Sequence, residues 1–298
     1  MTPEIFCEQF ATFAEAPNGV GKLRELILQL AVRGKLVPQD ENDETADALL
    51  ARIVRQSTEL GERESASRKS VRSTVNSNGR PSQLPRGWIQ TRLGVIAEII
   101  MGNSPPGSSY NDHGKGVPLI NGPVEFSVGP FGLTMRTKFT TEPTKFCKKN
   151  DLLICVRGST TGRTNIAAFD ACIGRGVAAV QAGEVQSYVN LFVLALRQAI
   201  FDMGTGSTFP SISFNQIADI PFPLPPLAEQ RRIVGKVDQL LGLCDELAAR
   251  QAARREARSA LVGATLDRLV SPRRQPNSSS PSPQSSGERG AGGEGLRG

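Results

Sequence analysis

The chain has 298 residues, of which 39% are hydrophobic, so it can bury at least one sizeable core and is not a wholly disordered protein. Its formal net charge is +6, with Lys and Arg spread along the whole length, and this favours a polyanionic partner such as DNA or RNA. A soluble protein can also be basic without binding either. No window reaches the roughly 18 apolar residues of a membrane span, and we expect a cytoplasmic protein that contacts no membrane.

Two helices are predicted near the start of the chain. Apolar residues recur at helical spacing over residues 22–32, and Gly34 then supplies a helix stop. Thr45 can cap a second helix with one apolar face. We therefore predict a helical hairpin within an N-terminal helical region, residues 1–56. Residues 57–83 are rich in Ser, Arg and Glu and have few apolar positions, which predicts a flexible linker.

A domain of mixed structure is predicted over residues 84–225. From Trp88 onward, short apolar runs alternate with Gly and Pro. The runs at 152–156 and 176–180 are typical of strands, and the segment 188–203 has the length and periodicity of a helix. A proline-rich segment that can form neither a helix nor a central strand closes the domain. The predicted fold class is α+β, with a short β-sheet and flanking helices.

A long helix is predicted over residues 226–270, because more than forty residues after Pro226 contain no proline. Its apolar positions alternate by four and three, which is typical of a coiled-coil-like seam. One helix cannot bury such a stripe alone, so the stripe needs the N-terminal hairpin, another subunit, or both. The residues predicted to form this subunit interface are Ile233, Val237, Leu240, Cys244 and Leu247. The polar tail, residues 271–298, is predicted to be disordered.

Several strings resemble catalytic motifs but lack the context that catalysis needs. The glycines of 290–295 have no strand before them and no helix after them. The segment 202–206 resembles a cofactor-binding turn but follows a predicted helix, and Ser104-Pro-Pro-Gly107 lacks the aromatic residue that stacks on a flipped base. The one histidine, His113, can build neither a triad nor a zinc cluster. We therefore predict no enzyme activity, no cofactor and no metal, and we interpret the five cysteines as buried free thiols.

Three segments resemble one family, the specificity subunits of Type I restriction-modification enzymes. The first is LRELILQLAVRGKLVPQDENDETADALLARI, near the N-terminus. The second combines LPRGWIQTRLGVIAEIIMGNSP with DLLICVRGSTTGRTNIAAFDACIGRGVAAVQ, which resemble a target-recognition domain. The third is TFPSISFNQIADIPFPLPPLAEQRRIVGKVDQLLGLCDELAAR. The resemblance covers roughly residues 20 to 270. Full-length members have two such units in tandem, whereas this sequence contains one.

The resemblance implies a non-catalytic DNA-recognition subunit. Such a subunit recognises one half of a bipartite site in double-stranded DNA and docks a modification methyltransferase subunit and a restriction subunit. A half-length chain would act as a homodimer or with another half specificity subunit, and two identical domains predict an interrupted palindrome as target. One alternative is a non-catalytic DNA-binding, assembly or regulatory factor derived from a truncated specificity subunit. A second alternative is an enzyme that uses residues 202–206 as a cofactor turn.

The candidate DNA contacts lie in polar or basic segments of the recognition domain. The Gly-rich segment 157–165 follows a predicted strand, but it can equally be an ordinary hairpin turn with exposed arginines. Segment 134–149 interleaves basic residues with phenylalanines, which we expect to anchor it to the core. Segment 211–216 can contact bases or cap a helix. The candidates are Arg136, Lys138, Lys145, Arg157, Thr160, Thr161, Arg163, Asn165, Arg175, Ser213 and Asn215.

Overall fold

The computed structural model describes residues 18–59, 84–129, 132–205 and 210–270, without the side chains of residues 57–59 and 268–270. The chain divides into two compact units, residues 1–248 and residues 249–298. The first unit holds every described strand, and the second holds the distal part of the C-terminal helix. The tail and the linker beyond residue 59 lie outside the described residues, so their predicted disorder stays a prediction.

Both predicted N-terminal helices are present, as α1 (Gly19–Val32) and α2 (Ala46–Glu59). Helix α1 ends just before Gly34, which has a φ of +64°, a conformation that glycine adopts without steric cost. The hydroxyl of Thr45 accepts a hydrogen bond from the N–H of Ala48 at 3.3 Å, as expected of a capping residue. Helix α2 runs to residue 59, so its last turn occupies the first residues of the predicted linker.

The central domain is α+β, as predicted, but its described residues form three sheets instead of one. The strands are β1 (Ile89–Arg92), β2 (Glu98–Met101), β3 (Tyr110–Asn111), β4 (Val117–Ile120), β5 (Phe139–Thr140), β6 (Phe146–Cys147), β7 (Leu152–Cys155), β8 (Thr164–Ile166), β9 (Ala171–Ile173), β10 (Val177–Gln181) and β11 (Pro221–Leu224). The helices are α3 (Leu93–Ile96), α4 (Gln186–Ala195), α5 (Arg197–Asp202) and α6 (Phe214–Ala218). The runs predicted as strands are β7 and β10. The three-residue strands β8 and β9 are too short to show a period.

The strand order explains how the sheets are organised. A four-stranded antiparallel sheet has the order β2-β10-β7-β8, and a five-stranded sheet has the order β3-β5-β4-β9-β6, with β4 and β9 parallel. The proline-rich strand β11 pairs only with β1 in a two-stranded ribbon. This agrees with the prediction that its prolines exclude it from the middle of a sheet.

Alternating residues of the four-stranded sheet belong to two different cores. Leu152 and Ile154 of β7 are buried in one apolar cluster with helices α1, α2 and α4. Leu153 and Cys155, which alternate with them, are buried in a second cluster that includes Ile173 of the five-stranded sheet. Because side chains of a strand point alternately to its two faces, the sheet forms the middle layer between helices and a second sheet.

The helix predicted over 188–203 is interrupted in the structure. Leu196 has φ −96° and ψ 5°, and this residue separates α4 from α5. The break lets the backbone of α5 meet Gly162 in the β7–β8 turn, where an added Cβ would lie 3.1 Å from the Arg197 carbonyl oxygen. Buried apolar residues, including Ile200, continue on both sides of the break, so the periodicity of the sequence does not reveal it.

Helix α7 (Leu227–Val270) confirms the predicted long C-terminal helix. Its apolar stripe, however, packs inside the chain. Ile233 and Val237 are 0% exposed and Cys244 is 5% exposed, in the same cluster as residues of α1 and α2, while Leu240 and Leu247 are partly buried against it. The rest of the chain, including the N-terminal hairpin, therefore covers much of this stripe, and a subunit interface at these five positions stays a prediction. Helical spacing identifies the apolar face but does not identify what covers it.

The second unit, taken by itself, contains the distal part of α7. Its apolar side chains are solvent-exposed: Leu261 is 68% exposed, Val262 is 51% exposed and Leu266 is 55% exposed. No described helix is long and apolar enough to cross a membrane. The described cysteines are free and buried, as predicted, and they are Cys147, Cys155, Cys172 and Cys244.

Candidate nucleic-acid interface

Four strand ends meet at one end of the four-stranded sheet. Strands β2 and β7 end there, and β8 and β10 begin there, because all neighbouring pairs are antiparallel. The residues just beyond these strands are therefore brought together although they are distant in sequence. We call this end the polar edge and define it by Asn103, Ser104, Arg157, Arg163 and Arg175.

Backbone hydrogen bonds extend past the strands and fix the polar edge. The N–H of Gly102 donates to the Val177 carbonyl oxygen at 2.9 Å, and the N–H of Val156 donates to the Gly176 carbonyl oxygen at 2.9 Å. Arg157 directly follows Val156 in sequence, and Arg175 directly precedes Gly176. The two predicted arginines are thus placed beside each other on neighbouring strand extensions.

Glycine is required where these extensions approach most closely. A Cβ added to Gly102 would lie 2.3 Å from the Gly174 carbonyl oxygen and 2.6 Å from that of Val177. A Cβ added to Gly176 would lie 2.8 Å from the Asn121 carbonyl oxygen. Both approaches are shorter than any ordinary carbon–oxygen contact. The backbone of the polar edge is therefore tightly packed.

Two further segments, those of Asn121 and Lys145, join the edge. The Arg175 N–H donates to Oγ of Ser104 at 3.2 Å, and that hydroxyl donates to Oδ1 of Asn121 at 3.4 Å. Lys145 lies beside β9, where its carbonyl oxygen accepts a hydrogen bond from the N–H of Ile173 at 2.8 Å. The backbone of Lys145, a predicted DNA contact, is therefore bonded two residues away from Arg175. Ser104, which begins the string that resembles a base-flipping motif, lies within the same group.

Segment 157–165 contains the turn of the β7–β8 hairpin, and two of its DNA-contact candidates are buried. Thr161 is 4% exposed, and its hydroxyl lies 2.7 Å from the Gly158 carbonyl oxygen and 3.0 Å from that of Pro210. Asn165 is 0% exposed, and its amide donates to the Ser127 carbonyl oxygen at 3.3 Å. Thr161 thus stabilises the turn and Asn165 of β8 bonds to the loop at Ser127, so neither side chain is available to DNA in this conformation.

The exposed side of the same turn holds the remaining candidates, Arg157, Thr160 and Arg163. Arg157 is exposed, whereas Thr160 and Arg163 are half-buried. One Arg163 nitrogen donates weakly to the Phe126 carbonyl oxygen at 3.4 Å. Which side chains of this segment face solvent depends on the register of β7 and β8. The sequence alone does not determine that register.

Segment 211–216 lies next to Arg157 through a backbone bridge between Arg157 and Ser211. The capping interpretation of this segment is confirmed: Oγ of Ser213 accepts a hydrogen bond from the N–H of Gln216 at 3.3 Å, and Ser213 N–H donates to the Gln216 side chain at 2.9 Å. Asn215 is exposed. Ser213 is thus a helix cap, and a DNA contact by the exposed Asn215 stays a prediction.

Arg136 and Lys138 lie on the five-stranded side of the domain. The guanidinium of Arg136 stacks over the ring of Phe169, 4.5 Å from its centroid. Lys138 flanks β5, and its carbonyl oxygen accepts from the N–H of Leu119 at 2.8 Å. Both residues are exposed, but no described hydrogen bond joins them to the polar edge. They form a separate basic surface.

The arginines of the polar edge carry charge that no described acidic side chain neutralises. Within the described ranges, the arginines in ion pairs include Arg24, Arg52, Arg86, Arg92 and Arg232. Arg157, Arg163 and Arg175 are not among them. Such guanidinium groups are suited to bind phosphate or the acceptor edge of guanine.

The catalytic look-alikes remain unsupported by the structure. The side chain of His113 is 71% exposed, and its Nδ1 lies 3.5 Å from Oδ1 of Asp112, which is also exposed. Among the described residues, no group of His, Cys, Asp and Glu could hold a metal ion. The segment 202–206 ends at Gly206, which lies outside the described residues, as do the glycines of 290–295.

Comparison with known proteins identifies the family. The model of the Type I restriction modification DNA specificity domain matches residues 85–254. The chain therefore belongs to this family of specificity domains. Because the specificity subunits are non-catalytic, the family supports the prediction that the chain is not an enzyme.

Two curated relatives are specificity subunits. The chain is 30% identical over 280 residues to the Type I restriction enzyme EcoAI specificity subunit of Escherichia coli, covering 85% of this chain and 44% of that protein. It is 36% identical over 161 residues to the putative type I restriction enzyme MjaX specificity subunit of Methanocaldococcus jannaschii, covering 52% of this chain and 37% of that protein. The chain thus spans less than half the length of these relatives.

Solved structures give the same assignment. The HsdS subunit from Thermoanaerobacter tengcongensis is 28% identical with a TM-score of 0.51, covering 78% of this chain and 51% of that one. A chain from a study of complex assembly and conformational transition of the type I R-M system is 32% identical with a TM-score of 0.57, covering 74% and 56%. These matches confirm the predicted fold and family.

Proposed function

We propose that this chain is the DNA-recognition subunit of a Type I restriction-modification complex and that its polar edge contacts one half of a bipartite site. The observation that carries this proposal is the convergence of Arg157, Arg163 and Arg175 at one end of a rigid sheet. Arginine can bind guanine through two hydrogen bonds in the major groove. Neighbouring Asn103 and Ser104 add amide and hydroxyl groups that can bind base edges.

The basic residues outside the centre of the edge would fix the register on the duplex. Lys145, beside the edge, and Arg136 and Lys138, on the five-stranded side, would bind phosphates. Phosphate contacts contribute affinity that is independent of sequence and falls with salt. Base contacts and phosphate contacts can therefore be separated by experiment.

The proposed partners are a modification methyltransferase subunit and a restriction subunit. The family assignment supports this proposal, since the relatives are specificity subunits of restriction enzymes. Methyl transfer and cleavage would belong to those partners. The chain would supply the choice of DNA sequence.

A second recognition unit is needed to complete a bipartite site. We propose that the chain pairs with a second copy or with another half-length specificity chain. The exposed residues Leu261, Val262 and Leu266 of the distal α7 are the apolar surface that such a pairing would cover. Two identical copies related by two-fold symmetry would recognise an interrupted palindrome.

The decisive experiment expresses the chain with the modification subunit encoded beside it, purifies the complex and maps methylated sites in host DNA. We expect the two proteins to co-purify and methylation to appear at one interrupted palindromic sequence. The same modification subunit without this chain should leave that sequence unmethylated. Co-purification without any site-specific methylation would instead support an assembly or regulatory factor, and it would overturn the recognition function.

A further inference from the structure

A cleft of about 970 Å³ lies between α1, the β7–β8 turn and α5, all within the first unit. Leu28 and Leu194 form part of its apolar lining. Thr160 and Arg163 of the turn also line it, so the cleft opens beside the polar edge. Arg197 of α5, which had no role in the sequence-based predictions, lines the cleft as well.

The backbone that carries Arg197 is held in place by the turn itself. Gly162 approaches α5 so closely that an added Cβ would lie 3.1 Å from the Arg197 carbonyl oxygen and 3.3 Å from the Phe201 nitrogen. Ile200, in the middle of α5, is 0% exposed. The backbone of α5 is therefore packed against the turn that carries Arg163.

The cleft is positively charged. The side chain of Arg197 is exposed, and no described acidic residue forms an ion pair with it. Glu25 is the one acidic residue among the described residues that line the cleft. The neighbouring buried thiol is affected by both positive charges: burial raises the pKa of Cys155 to about 11, and Arg163 and Arg197 each oppose that rise.

We propose that Arg197 binds a backbone phosphate of the DNA duplex at the mouth of this cleft, next to Arg163, and so positions the β7–β8 turn on the half-site. This inference rests on the proposed function. A guanidinium donates two parallel hydrogen bonds to a phosphate, and a contact held by packed backbone fixes the register of the protein on DNA. An acidic segment of a partner protein is the competing occupant, and the experiment below distinguishes it.

The test uses the full chain in complex with its modification subunit and compares Arg197→Gln with the unaltered complex. Binding is titrated against a duplex that contains the mapped methylation site and against a scrambled duplex, at several salt concentrations. We expect affinity for both duplexes to fall by the same factor, about tenfold, and the slope of log Kd against log salt to decrease by about one. Arg197→Lys, which keeps the charge, should recover most of the affinity.

Arg55→Gln is the matched control, because Arg55 is exposed on α2 and does not line the cleft. It should leave affinity and salt slope unchanged. A loss in Arg197→Gln that is confined to the specific duplex would overturn the phosphate assignment, as would weaker assembly with the modification subunit at an unchanged salt slope. Specific binding that is fully retained by Arg197→Gln would overturn the inference alone. Failure of the unaltered complex to bind its site would overturn the proposed function as well.

Discussion

Arg157 and Arg175 flank a single backbone hydrogen bond, which joins the N–H of Val156 to the carbonyl oxygen of Gly176 over 2.9 Å. The two side chains are therefore presented by neighbouring strand extensions, with a spacing that the sheet determines. Replacing either arginine with glutamine should weaken specific DNA binding by about 1–3 kcal/mol, because a bidentate base contact would be lost. Titration of the complex against specific and scrambled duplexes measures this difference.

Lys145→Gln is the control for that pair of variants. Lys145 lies beside the same edge, but as a phosphate contact it should weaken binding to both duplexes equally. Equal losses on both duplexes for Arg157→Gln and Arg175→Gln would show that these arginines bind phosphates and that other side chains recognise the bases.

Gly102 should be intolerant of any side chain. An added Cβ would meet two carbonyl oxygens at 2.3 and 2.6 Å, and neither the Gly174 nor the Val177 backbone can move without breaking the strand extensions. We expect Gly102→Ala to lower the free energy of unfolding by about 1–3 kcal/mol. Thermal denaturation checks this, with Gly107→Ala as the control, because no atom lies within 4 Å of a Cβ at Gly107. Equal melting temperatures for the two variants would contradict the tight packing of the polar edge.

Glu229, in the first turn of α7, should make stability fall as pH rises. Its side chain is buried, and Oε1 has no hydrogen-bond partner among the described residues. Burial raises the pKa of Glu229, and the nearby Trp88 and Arg232 oppose this to a smaller extent. Between the unfolded pKa, about 4.3, and the raised folded pKa, the unfolded chain releases a proton that the folded chain keeps. Stability therefore decreases with rising pH across that window and stays reduced above it.

Glu229→Gln removes this ionisation, so at neutral pH its melting temperature should exceed that of the unaltered chain by a few degrees. The difference should disappear below about pH 4, where the carboxyl is protonated in both states. Asp238→Asn, on the exposed face of the same helix, is the control and should show no such pH-dependent gain. A lower melting temperature for Glu229→Gln at every pH would mean that the charged carboxylate stabilises the fold.

An introduced aspartate should destabilise the packed part of α7 much more than its exposed distal part. Val237→Asp places a carboxylate in a fully buried apolar site and should cost about 3–5 kcal/mol of folding stability. Leu261→Asp alters a residue that is 68% exposed, so it should change the free energy of unfolding by less than about 1 kcal/mol. If distal α7 mediates pairing, Leu261→Asp should yield a smaller species in sedimentation. An unchanged oligomer would exclude this surface from the pairing.

The sequence was sufficient to predict the long elements and the family. Helices α1, α2 and α7 follow from apolar periodicity, and Gly34 and Thr45 act at the helix ends as expected. The motifs around Trp88 and in segment 152–181 led to the family that the comparisons confirm. These features depend on local pattern, which a single sequence contains.

The candidate site was predicted only in part, because it depends on register and direction. Thr161 and Asn165 were selected for their polar side chains, yet both are buried within the domain. Arg197 was not selected, because its importance comes from the break at Leu196 and the approach of Gly162. Such relationships join segments more than thirty residues apart, and no local pattern encodes them.

Because the described cysteines are buried, the rate at which each is alkylated reports local unfolding around it. Cys155 ends β7 beneath the polar edge, Cys147 lies in β6, and Cys244 lies in α7. A buried thiol is alkylated only when its surroundings open, so the labelling rate at each position measures the free energy of that local opening. With Cys7, outside the described residues, replaced by serine, mass spectrometry of labelled peptides can follow three layers of the fold at once. DNA that binds the polar edge should then slow labelling of Cys155 more than labelling of Cys244.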